Sequence, residues 1–158
     1  MRSDLVVHIL EMSDDIDGAL LKLRQRKQEA GLEYIPHEDY LLLRKGDFKE
    51  VEVHLRQRLE SVNFTPEATV ELVNYELARK KLGHKPNADR LIAACRFGAS
   101  DTRLSAGANA VLGKKAEMLS DIKKILKEDQ TFRYQAMKWP AFDEYRNDSD
   151  FQKIFART

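Results

Sequence analysis

This sequence predicts an all-α fold of antiparallel helical hairpins stacked in a row, and three observations predict it. Apolar residues recur at intervals of three and four through most of the chain. Glycines 31, 46, 83 and 113 stand where those periodic runs break. The chain has only seven glycines and four prolines, and its 42% hydrophobic and 34% charged residues suit helices around a real core. A length of 158 residues fits one domain, taken as 1–158.

The first apolar run, Leu5-Val6-Val7-His8-Ile9-Leu10, has the β-branching of a strand. No other segment offers it a pairing partner, and an unpaired strand leaves backbone groups unsatisfied, so a helix is expected. From Ser13 the spacing is helical: Ile16, Ala19, Leu20 and Leu23 share a face on a helix that Gly31 is placed to end. Another helix begins near Pro36 and stops at Gly46. Asp47, with Glu50 three residues on, offers a capping box to the next, whose stripe is Phe48, Val51, Leu55, Leu59 and Val62.

Thr65-Pro66-Glu67 opens a further helix: a hydroxyl at the cap, proline at the first helical position, then an acid. Val70, Val73 and Leu77 carry its stripe to Gly83. Asn87 caps a helix through Ala88, Leu91, Ile92 and Cys95 that closes at Gly98, and Ser100 or Asp101 opens one that ends near Gly113. Ala116, Leu119, Ile122 and Leu126 mark the helix after it. The tail differs in character. Seven aromatics, from Phe132 to Phe155, crowd into it; Pro140 starts a short helix, and Ser149-Asp150-Phe151-Gln152 reads as a second capping box.

The turn signals recur. Asp14, Gly46, Gly83 and Gly113 are spaced by 32, 37 and 30 residues, the period of two-helix repeats. Gly46-Asp47-Phe48 looks like the turn of the tetratricopeptide repeat family, and Leu55 and Leu59 fall where that family's second helix packs. Gly83, Ala88, Ile92 and Cys95 repeat the pattern, and Ala106 and Gly113 suit a first helix and its turn. The chain resembles that family from about Ser13 to Asp129. Val51 stands for the family's usual alanine, and Glu76 falls where a small residue is usual. The resemblance implies a right-handed superhelix of helical hairpins, an α-solenoid, closed by a short capping segment at about 139–158.

Composition and motifs narrow the function. Lys and Arg total 27 and Asp and Glu 26, so the basic excess of a nucleic-acid binder is missing. Arg79-Lys80-Lys81 and the lysines from 114 to 124 keep a helical nucleic-acid binder as an alternative. The one cysteine, Cys95, reads as a small buried hydrophobe. No two histidines have metal-ligand spacing on one helix, and His37-Glu38-Asp39 reads as a helix start. A calcium loop from Asp143 fails at its sixth and twelfth places, held by Asp148 and Ile154. Gly113-Lys114 lacks the rest of a phosphate loop. No catalytic residues, metal or cofactor are therefore expected; a small enzyme with an unrecognised site is the third alternative. Nothing resembles a signal peptide or a membrane span, and a cytoplasmic protein is expected.

The leading expectation is a non-enzymatic adaptor that holds a protein or peptide partner in a groove. By the resemblance, Tyr40, Leu43 and Arg44 would line that groove, followed by Val73, Leu77, Lys80 and Lys81, then Arg103. That set is apolar with a basic edge and would suit an extended peptide carrying acids. The family's clamp for chaperone tails is not matched, since Pro36 and Tyr40 stand at its places. The aromatic tail from Trp139 to Phe155 is expected to cover the open end of the array.

Overall fold

The computed structural model describes residues 2–61, 66–97 and 102–156. It is 80% helical, with no strand among the described residues. The helices are α1 (Arg2–Met12), α2 (Ile16–Glu29), α3 (Pro36–Lys45), α4 (Phe48–Ser61), α5 (Pro66–Lys81), α6 (Ala88–Phe97), α7 (Thr102–Val111) and α8 (Lys115–Glu128). Then come α9 (Phe132–Lys138), a 3-10 turn (Pro140–Tyr145) and α10 (Ser149–Phe155). The first apolar run is thus a helix, as the lack of a pairing strand requires.

Local chemistry sets most boundaries. Gly46 sits at φ +90°, and its N–H donates to the carbonyls of Leu42 and Leu43 as α3 ends. The Asp47 N–H donates back to Leu42 in the same turn, 2.9 Å. That bond uses the donor a capping box would need, so Glu50 reaches Arg24 at 2.5 Å instead and the expected box does not form. Asp14 takes the corresponding left-handed conformation, φ +60°, between α1 and α2. Asn87 caps α6 as expected, accepting from the Arg90 N–H at 3.0 Å. At α10 the cap is Asp148 rather than Ser149: its carboxylate accepts from the N–H groups of Asp150 and Phe151. The signals at Thr65, Gly98, Ser100 and Asp101, and the last stripe position at Val62, lie outside the described residues.

Each helix from α1 to α8 packs on the next, and α5 also packs on α3 and α7. Helix α5 is the hub. Residues 71–78 are all buried, including Glu71, Asn74 and Glu76, because α3, α4, α6, α7 and the 3-10 turn surround it. Glu76 occupies a position where a small side chain would let helices approach. Its carboxylate instead accepts from the Arg79 guanidinium and from the Asn87 N–H at 2.9 Å, anchoring the start of α6. On α8 the buried face is Met118, Ile122, Ile125 and Leu126, with Ala116 exposed, so the packed stripe is rotated from the expected one.

The tail is core. Phe132, Phe142 and Phe151 are fully buried, each stabilising by roughly 1.5–3 kcal/mol. Helix α10 packs on α8, as a cover for the end of the row should. The rest departs from that expectation: the 3-10 turn lies across α7 and α5, and α9 reaches α1 through Tyr134 and Met12. Gly107 explains the path. A Cβ there would stand 2.3 Å from the Trp139 ring, so its absence opens the notch in α7 that the indole fills.

Candidate binding cavity

The structure scatters the eight groove residues expected from the sequence. Leu43, Val73 and Leu77 are buried in the core, because α3 and α5 have packed neighbours on both sides. They cannot touch a partner. Lys80 and Lys81 pair with Glu144 of the 3-10 turn at 2.8 and 2.9 Å. Arg44 pairs with Glu11 and Asp14, and Arg103 with Asp129. The basic edge is thus occupied by the chain's own acids. Lys115, from the second basic run, likewise meets Asp148 and Asp150. Only Tyr40 and Arg103 of the eight border the space described next.

That space is a cavity of about 740 Å³ framed by α1, α3, α5, α7 and α9. Helix α1 contributes His8 and Glu11, one turn apart. Tyr34 and, from α3, His37, Asp39 and Tyr40 form a second wall; Val70, Glu71 and Asn74 of α5 form a third. The tail closes the fourth with Phe132, Tyr134, Lys138 and Trp139. Trp139 is fixed from behind, its indole N–H donating to Asn74 Oδ1 at 3.1 Å, its ring edge-on to Phe142.

Three carboxylates in these walls are almost wholly buried: Glu11, Asp39 and Glu71. Each is hydrogen-bonded, as burial of a charge demands. Glu11 accepts from Arg44 at 3.2 Å and lies 3.1 Å from His37 Nε2, and the His37 ring stacks on Tyr40. Glu71 accepts from Arg58 Nε through both oxygens, at 2.8 and 2.7 Å. Asp39 accepts from the Tyr34 hydroxyl at 2.7 Å and lies 3.3 Å from His54 Nδ1.

The electrostatics follow from burial. Asp39 has its pKa raised above the ordinary carboxylate value by burial, against the lowering pull of the Tyr34 and His54 contacts. Burial, reinforced by Asp39, holds the Tyr34 hydroxyl protonated far above its usual range, and burial beside Glu11 pushes Tyr40 up to about 12. Both phenols are therefore donors at any ordinary pH. Beside the cavity, Glu38 shows the opposite balance: burial pushes it up, but Arg24 and Lys27 outweigh that and its pKa is lowered. Cys95, half-buried, has its thiol pushed up by burial, which leaves it poorly nucleophilic.

Sequence reasoning missed Glu11, Asp39, Glu71 and Trp139. The signal for Glu71 was present, since it sits between Val70 and Leu72 on an apolar turn of α5, whereas Asp39, in His37-Glu38-Asp39, read as a helix start. For Glu11 and Trp139 there was none, because their partners come from distant helices. Among the described residues no three His, Cys, Asp or Glu side chains group to hold a metal ion, and no helix is long and apolar enough to cross a membrane. Compared with family models, with curated proteins and with solved structures, the chain finds no significant match.

Proposed function

We propose that the chain is a non-enzymatic binding module of tetratricopeptide-like build, and that the cavity receives a peptide segment of a protein partner. In this reading the helical hairpins wind as a solenoid, with the odd-numbered helices inward. The observation that carries it is the cavity itself. It is large enough for two or three side chains, and its walls come from α1, α3, α5, α7 and α9, with Leu55 of α4 also lining it. Its lining mixes aromatic faces with a few fixed polar groups, the composition of a recognition pocket. The site expected from the sequence is thereby moved toward α1, away from the stretch of α5 that the tail covers.

A nucleic-acid binder is supported less, because Lys80, Lys81 and Lys115 are already paired with acids. The deciding experiment is a pull-down with mass spectrometry, run with the natural chain and with Val70→Trp. Val70 is exposed at the cavity, and an indole there would obstruct it without touching the core. Partners captured by the natural chain should be lost by a variant that melts at the same temperature. Capture undiminished by Val70→Trp would place the interface elsewhere.

A further inference from the structure

Resting on that reading, we propose that the cavity selects a basic side chain, an arginine or lysine carried by an extended peptide. The charge of the walls points this way. Glu11, Asp39 and Glu71 bring three buried carboxylates to one space. Glu11 is matched by Arg44, whose second nitrogen serves Asp14. Asp39 and Glu71 draw on a single guanidinium, Arg58, which bonds both oxygens of Glu71 and is felt by Asp39 only through space. The direct contacts of Asp39 are a neutral phenol and the His54 imidazole, and His54 also faces Glu50 at 3.8 Å. Among the described lining residues, the three carboxylates Glu11, Asp39 and Glu71 stand against two permanent cations, Arg103 and Lys138.

The two cations that border the cavity already have acidic partners: Lys138 meets Asp14 at 2.8 Å, and Arg103, whose guanidinium also lies over the Phe132 ring, meets Asp129. The aromatic lining fits the same guest. The chain's own arginines already lie over ring faces here, Arg58 at 4.3 Å from the Tyr34 centroid and Arg44 at 5.9 Å from that of Tyr40. Ring faces attract cations, most strongly when water is excluded. Trp139 and Tyr134, on the tail wall, offer further rings to an incoming cation. At the mouth, Val70 and Tyr134 are exposed and apolar enough to take the stem of a long side chain and the peptide beside it. An acidic peptide, which the basic edge had suggested, meets like charge.

Trp139 is the only tryptophan and lines the cavity, so its fluorescence reports occupancy without a label. Four heptapeptide pools with identical random flanks, differing only in a central Arg, Lys, Gln or Glu, are titrated against the natural chain. The Arg and Lys pools should bind at least about tenfold more tightly than the Gln pool, with the Glu pool weakest. Asp39→Asn should erase most of the Arg-over-Gln preference; if that variant does not fold, the ranking on the natural chain decides. A Gln or Glu pool that binds as well as the Arg pool overturns the charge preference and leaves the peptide site standing. If no pool binds, the peptide reading falls with it. Arginine amide binding as tightly as its pool would show a small cation as the guest and overturn the peptide part.

Discussion

Two stretches of helix α5 meet the tail in different ways. On its C-terminal half, beside α7, the chain covers itself: Trp139 fills the notch at Gly107, Phe142 is sealed beneath it, and Glu144 bridges Lys80 and Lys81. On its N-terminal half, facing α3 and α1, the tail arches over a void lined by Glu71, Asp39 and Glu11. The first region has the properties of a core and the second those of an open, polar-lined cavity. In the one, the single buried acid, Glu76, is held by Arg79 and the Asn87 N–H; in the other, three buried carboxylates line a void, although buried charge works against stability.

The comparison can be broken most severely at Phe142. Phe142→Ala should cost about 3–5 kcal/mol and lower the melting temperature sharply, because an unfilled cavity would replace a ring packed on Phe132, Trp139 and Phe151. A loss below about 1 kcal/mol in denaturant unfolding would mean that the tail is only loosely seated. Gly107→Ala should come next, at about 1–3 kcal/mol, since the new Cβ meets a rigid indole rather than a flexible side-chain end. Trp139 emission should shift to the red as the ring leaves its notch, and an unchanged spectrum would contradict the geometry.

In the open half the sign should reverse. Burial raises the Asp39 pKa in the fold, so ionising it disfavours the native state. That penalty is absent below the ordinary carboxylate pKa and grows as pH rises through the raised value. Asp39→Asn, which keeps an acceptor for Tyr34, should therefore raise the melting temperature at neutral pH, with the gain fading toward pH 3. A variant less stable at neutral pH would show that the carboxylate holds the fold together. The smallest effect belongs to Glu144→Gln, below about 1 kcal/mol, because that carboxylate is well exposed. The difference from the natural chain should shrink in high salt; one that persists would mean the pair is effectively buried.

The helices were legible because they depend on near neighbours. Glycines at positive φ, Pro36 at the head of α3 and the spacing Ala19, Leu20, Leu23 act within one or two turns. The path of the tail was not legible. It turns on a missing side chain at Gly107 and on an indole 32 residues later, and neither residue announces the other. The apolar groove residues proved to be core for a related reason: a helical stripe tells which residues are buried, but not whether against the chain or against a guest. Leu43, Val73 and Leu77 satisfy the pattern and are spent on the core, whereas the acids that line the cavity interrupt it.

The ties between α1 and α9 bear on how the molecule comes apart. Lys138 meets Asp14 across a separation of 124 residues, and Tyr134 touches Met12 beside it. A row of helices joined only to near neighbours can fray from either end, one hairpin at a time. Here the turn after α1 and the end of α1 itself are tied to α9, so loosening of one should be felt by the other. Loss of protection in hydrogen exchange should then reach α1 and α9 together, although 124 residues of chain separate Asp14 from Lys138.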